Sequence, residues 1–289
     1  MAQTIACANQ KGGVGKTTTV VNLAAYLALA GERVLIVDLD PQGNATSGFG
    51  IDRSSLETTL YDVIVGDTAL SATILPTAVE RCSIAPASVA LAGAEVELAG
   101  ADQRERRVAK VLAPVLDGFD YVLLDCPPSL GLLTVNALTA ADSVLIPTQC
   151  EYYALEGLSQ LTATLNLVRD NLNPSLAIKG VVLTMYDART NLSADVAAEV
   201  RNHLGEAVFE TIIPRSVRLS EAPSFGLPIA LYRDNSRGAI AYAALAAELR
   251  ERDGHTTSIG PKDPGTQRPS LAVPAGPQSA QAFAIGSLR

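Results

Sequence analysis

Short apolar, β-branched runs alternate with longer segments of helical period along most of this chain. Residues 4–8, 33–37, 83–86, 121–125, 143–147, 178–184 and 208–213 read as strands, nearly continuous in apolar residues rather than alternating. Residues 16–30, 102–116, 132–140, 154–171, 193–204 and 237–252 read as helices. Unbroken apolar strands between helices predict a mostly parallel sheet buried by helices on both faces, the α/β class. In such sheets ligands sit beyond the carboxyl ends of the strands, where the loops after Ala8, Val37 and Leu124 fall.

The first of these loops carries the strongest chemical signal. Gly12, Gly13, Val14, Gly15, Lys16, Thr17 and Thr18 join a strand to a helix and form a candidate phosphate cradle. The glycines let backbone N–H groups face one anion, Lys16 is long enough to reach β- and γ-phosphates, and the Thr17 hydroxyl suits Mg²⁺. The strict P-loop pattern fails at its first glycine, where Gln10 stands, and a second lysine, Lys11, follows it. One loop hardly needs both ammonium groups for its own nucleotide.

Phosphoryl chemistry also requires a metal holder and a positioned water. Asp125 ends an apolar strand and is the candidate Walker B carboxylate. Asp38 and Asp40 end another, with Pro41 forcing a turn. Asp40 at the strand mouth is the candidate to orient water and to join Thr17 and Asp125 around Mg²⁺; Asp38, one step inside, would support either the metal shell or the loop. The stiff Pro127-Pro128-Ser129 segment is a candidate γ-phosphate sensor. His203 and His255 lie in a polar helix end and in a polar tail, and neither reads as catalytic.

Composition narrows the class. The chain has 289 residues, 48% hydrophobic and 18% charged, which suits one large domain over residues 1–252. From Asp253 the chain turns rich in Pro, Gly, Ser and Gln, so 253–289 is expected to be disordered. No apolar run is long enough to cross a bilayer and no secretory pattern opens the chain, so the expectation is a cytoplasmic protein with no membrane partner. Cys7, Cys82, Cys126 and Cys150 are scattered singly, which argues against disulfides or a metal cluster. The net charge of −8 argues against bulk attraction to nucleic acid, although the acidic excess lies in the first half. Arg189, Arg201, Arg215, Arg218, Arg233 and Arg237 lie in the second half, where they either gather into a basic face or serve as ordinary surface.

Taken together, KGGVGKTT, VDLDPQGN, LLDCPPSLG, QCEYYALEGLSQL, DARTNL at 187–192 and IPRSVRLSEAPS at 213–224 resemble the ParA-type partition ATPases, Soj branch, from about Gln3 to Leu249. The resemblance implies a deviant-Walker P-loop NTPase that binds ATP and Mg²⁺, closes into an ATP-dependent homodimer, binds double-stranded DNA without sequence preference, and is reset when a ParB-type partner stimulates hydrolysis. Such a protein would be nucleoid-associated and serve chromosome or plasmid segregation. Carried onto this sequence, Lys11 is the signature lysine that reaches the partner's nucleotide, Asp40 the hydrolytic switch, and Arg189 and Arg218, with Arg215, the DNA contacts. Pro214 and Ser216 fall on the adenine-lining segment, where Ser216 replaces the family's asparagine. A membrane-cycling division ATPase, an amidotransferase-linked synthetase and an iron-protein reductase are the rival readings on the same fold.

Overall fold

The computed structural model describes residues 2–254. Its sheet comprises β1 (Gln3–Cys7), β2 (Val34–Asp38), β3 (Leu75–Pro76), β4 (Cys82–Ala85), β5 (Tyr121–Asp125), β6 (Ser143–Gln149) and β7 (Ala177–Thr184). They lie in the order β3-β4-β2-β5-β1-β6-β7, parallel throughout except for β3, which pairs antiparallel with β4 at one edge. The α-helices among the described residues are α1 (Lys16–Leu29), α2 (Asn44–Gly48), α3 (Leu60–Ile64), α4 (Leu91–Glu97), α5 (Arg107–Leu112), α6 (Leu132–Ala140), α7 (Ala154–Asn171), α8 (Asn191–Leu204), α9 (Val217–Glu221), α10 (Ile229–Tyr232) and α11 (Arg237–Arg252).

Every residue of β2 and β5 is buried, because both faces of the sheet are covered. Leu35, Val37, Val122 and Leu124 point into one core with Leu133 of α6 and Leu161 of α7. Val34, Ile36 and Leu123 point into the other with Leu23 and Leu27 of α1 and Leu245 of α11. Each such side chain removed from water contributes roughly 1.5–3 kcal/mol, so the central strands anchor the fold and hold the loops at their ends. At the opposite end of the sheet, Arg250 of α11 meets Glu32 at 2.9 Å, and Asp253 accepts from the Tyr121 hydroxyl at 2.9 Å and pairs with Lys179. Asp253 and Gly254 are therefore the described beginning of the segment expected to be disordered, and Asp253 is bound to the fold; the rest of that expectation lies outside the described residues.

Two sequence expectations are corrected. Residues 208–213 form no strand: only Val208 and Pro214 bridge to β7 and its following loop. The Glu248 carboxylate instead accepts from the backbone N–H groups of Glu210 and Thr211 at 2.8 and 2.9 Å, capturing donors that a ladder would have used. The helix expected over 102–116 is α5 flanked by two 3-10 turns, Arg104–Arg106 and Ala113–Gly118. Pro114 lacks the N–H an α-helix needs there, which favours the tighter turn.

Candidate functional site: a phosphate cradle and an apolar cleft

The cradle opens at the carboxyl end of β1, between β5 and β6. Gly13 and Gly15 adopt φ of 74° and 91°, the left-handed region that a side chain would strain. Thr19 N donates to Gly15 O at 2.8 Å and starts α1, whose first turn has no side-chain cap and no acidic residue. Its leading N–H groups and the positive end of the helix dipole are thus left for an external anion. Buried Val14 anchors the loop, its carbonyl accepting from the Thr184 hydroxyl of β7 at 2.8 Å.

The two lysines diverge. Lys16 is 6% exposed and donates to the Lys11 carbonyl at 3.2 Å, across the mouth of the cradle. Lys11 turns outward and its ammonium lies 2.7 Å from Glu151. Lys16 thus faces the cradle, whereas Lys11 pairs with Glu151 on the surface.

The carboxylates lie beneath the loop. Asp38 and Asp125 are register partners on adjacent strands, and both are fully buried. Asp38 accepts from the Thr46 hydroxyl at 2.7 Å, from Thr46 N at 2.9 Å and from Asp40 N at 3.3 Å. Its hydrogen bonds therefore fasten the loop between β2 and α2. Burial pushes the Asp38 carboxyl up to about 6, with the Thr46 bonds pulling the other way. Burial also holds Asp125 well above the usual carboxylate range, and Asp38 adds repulsion. Neither Asp125 oxygen has a hydrogen-bond partner of normal geometry, although Thr17 and Lys16 are close enough to moderate the shift. A buried, unpartnered carboxylate beside a threonine hydroxyl is an oxygen donor set suited to Mg²⁺. Asp40 is 7% exposed; its Oδ1 accepts from Gln42 N at 2.9 Å, closing a turn that sets the carboxylate at the strand mouth.

Asp40, Gly12, Lys16 and Thr17 line one 300 Å³ cavity, which Pro128 of the proline segment also borders. A second cavity of 460 Å³ holds the expected adenine residues Pro214 and Ser216, together with Leu219 and Pro223. Gly15, Thr17, Thr18, Asn44 and Met185 line both, so the phosphate and apolar chambers form one continuous cleft. Met185 has φ of 51°, uncommon for a residue with a side chain, and turns the chain away from the end of β7. Sequence reading passed over Met185, Asn44 and Tyr242 as cleft residues. The position of Met185 just past a strand's carboxyl end was the available signal; nothing local marks Tyr242, which reaches the cleft from α11.

The expected DNA contacts lie on neighbouring segments. Tyr186 bridges to Pro214, and Arg215 N donates to Tyr186 O at 2.9 Å, which joins the loop bearing Arg189 to the segment that carries Arg215 and leads into α9 with Arg218. No helix among the described residues is long and apolar enough to cross a membrane, and none of their His, Cys, Asp and Glu side chains group in threes to hold a metal ion. The four cysteines are free and buried.

The AAA domain family matches residues 2–178. The chain is 57% identical over 249 residues to the sporulation initiation inhibitor protein Soj of Bacillus subtilis strain 168, covering 86% of this chain and 98% of that protein. It is 55% identical over 249 residues to the chromosome partitioning protein ParA of Myxococcus xanthus strain DK1622, covering 86% and 88%. The structure of cobyrinic acid a,c-diamide synthase from Mycobacterium smegmatis with bound ADP and magnesium is similar with a TM-score of 0.77 at 40% identity, over 89% of this chain and 97% of that one. With its phosphate cradle and strand-end carboxylates, the chain belongs to the Soj/ParA family of chromosome-partitioning ATPases.

Proposed function

We propose that this ATPase is a DNA-partitioning switch in which bound ATP sets DNA affinity and hydrolysis resets it. Lys16 and the first-turn N–H groups of α1 bind the phosphates, Thr17 and Asp125 hold Mg²⁺ with Asp40 at its margin, and the adenine rests against Pro214 and Ser216. When bound, Mg²⁺ neutralises charge building on the phosphate oxygens. Asp40 orients the attacking water. Two copies close face to face, and Lys11 crosses to the nucleotide of the second copy.

The observation that carries this reading is the divergence of the lysines: Lys16 faces inward and Lys11 lies at the exposed rim, paired with Glu151. At the exposed rim Lys11 is placed to serve the nucleotide of a second copy rather than its own. The dimer then gathers Arg189, Arg215 and Arg218 from both copies against the phosphates of double-stranded DNA, which reads no sequence. A ParB-type DNA-bound partner completes the site and speeds hydrolysis, and the ATP-bound protein resides on the nucleoid in the cytoplasm.

A synthase is the second reading, since the Mycobacterium smegmatis structure bears that name at 40% identity. The higher identity of 57% to Soj favours partition. Binding to unrelated duplexes with ATP, ADP or no nucleotide at two salt concentrations decides: ATP-dependent, sequence-independent, salt-sensitive binding supports the switch, and no binding under any nucleotide refutes it.

A further inference from the structure

Two of the three arginines assigned to DNA, Arg189 and Arg218, are already occupied. Arg189 makes a fork to Asp187, with Nε 2.9 Å from Oδ1 and a terminal nitrogen 2.7 Å from Oδ2, while its side chain is 86% exposed. Arg218 meets Glu221 at 2.7 Å, and the Tyr232 hydroxyl donates to the same carboxylate oxygen at 3.1 Å. The two pairs lie on different elements, the loop after β7 and helix α9, yet share one design: an exposed guanidinium facing outward and a less exposed acid behind it.

We infer that Asp187 and Glu221 are built-in competitors for DNA phosphate, so that nucleic-acid affinity is set by exchange of a carboxylate for a phosphate on Arg189 and on Arg218. The inference rests on the partition reading above. A guanidinium fork accepts either anion with the same parallel hydrogen bonds, so a phosphate arriving at Arg189 displaces a ligand of its own kind. The displaced acid remains close and negative. The two acids thus cancel half of the charge of the four arginines on the local surface of one copy: Arg215 adds to the attraction that keeps Asp187 ionised, and Arg233 does the same for Glu221. Exposed pairs of this kind are weak and reversible, which makes the acids a brake rather than a lock. A brake on Arg189 and on Arg218 explains how a face of arginines stays off DNA until two copies present it together.

The test compares the full-length wild type with Asp187→Asn and Glu221→Gln, using fluorescence anisotropy of fluorophore-labelled duplexes of unrelated sequence, with ATP and without nucleotide, across a salt series. Each variant should bind about threefold to tenfold more tightly with ATP at about 0.1 M salt, and the double variant should show binding without nucleotide. The slope of log affinity against log salt should steepen by up to about one per acid removed, because a freed carboxylate no longer takes up a cation when DNA binds. A merely structural role for either acid would leave that slope in place. Adding Arg189→Gln to Asp187→Asn should cancel the gain. Equal or weaker binding by variants whose melting matches a DNA-binding wild type overturns the brake and leaves the partition reading standing. Absence of binding by wild type and variants alike overturns both. The two acids lie on separate elements, so if one variant fails to fold the other carries the test.

Discussion

Lys11 and Glu151, 140 residues apart in sequence, form an ion pair of 2.7 Å at the rim of the phosphate cradle, and Gln149 also donates to that glutamate. The pair holds the second lysine of the loop away from the cleft that Lys16 faces. Both partners are close to half exposed, so the pair is weak enough to exchange for a better anion.

Lys11→Ala should therefore leave ATP binding by one copy within about threefold while removing ATP-dependent dimerisation, because exposed pairs contribute little to the fold. Lys16→Ala should lose nucleotide binding itself. Calorimetric titration with a non-hydrolysable ATP analogue, beside sedimentation of the same samples, separates the two effects. Dimerisation of Lys11→Ala at wild-type nucleotide levels would remove the crossing role.

Asp125→Asn should uncouple Mg²⁺ from stability. A ligand at a hundred times its Kd stabilises the folded state by about 2.7 kcal/mol, so adding Mg²⁺ to the ATP-loaded wild type should raise its melting temperature clearly. In Asp125→Asn that increment should be largely absent, while the nucleotide-free variant should be at least as stable as wild type at neutral pH, since a buried unpartnered charge is gone. A variant that keeps the full Mg²⁺ increment would place the cation elsewhere.

Glu248 gives a pH signature. Burial raises its carboxyl, but the N–H groups of Thr211 and Glu210 and the charge of Arg252 outweigh this and hold it below its ordinary 4.5. A carboxyl lowered by folding stabilises above its unfolded pKa, and that stability is lost as pH falls through the folded value. Glu248→Gln should cost about 1–2 kcal/mol in denaturant unfolding at pH 7, and the gap to wild type should narrow only below about pH 4.5. A gap independent of pH down to 3 would contradict this.

Gly226 and Gly50 lie back to back: a Cβ on Gly226 would sit 2.5 Å from the Gly50 Cα, and both residues have positive φ, 64° and 74°. No side-chain rotation relieves a clash with backbone. Gly226→Ala should cost about 2–4 kcal/mol, seen as a lower urea midpoint with the slope unchanged. Because Ala222 and Leu227 border the apolar cavity on either side of this turn, adenine-nucleotide affinity should fall as well.

The sequence by itself determined the parallel strands, the glycine-rich loop after the first of them and the strand-end acids. Short continuous apolar runs between turn signals suit a strand buried on both faces, and Gly13 and Gly15 already specify the backbone turn that a phosphate loop needs. These are local constraints, written in residues adjacent along the chain. The tertiary structure decided the rest, where the deciding group came from a distant segment. Glu248 took the backbone donors of Glu210 and Thr211, so a strand-like run became a bridged loop. The difference between Asp38 and Asp125, alike at their strand ends, arose because Thr46 reaches back to one and no donor of normal geometry reaches the other. Glu151 settled where Lys11 points, and Asp187 and Glu221 settled what the arginines hold. Periodicity reports which face of an element is buried; it carries no information about which partner the folded chain brings to a charged side chain.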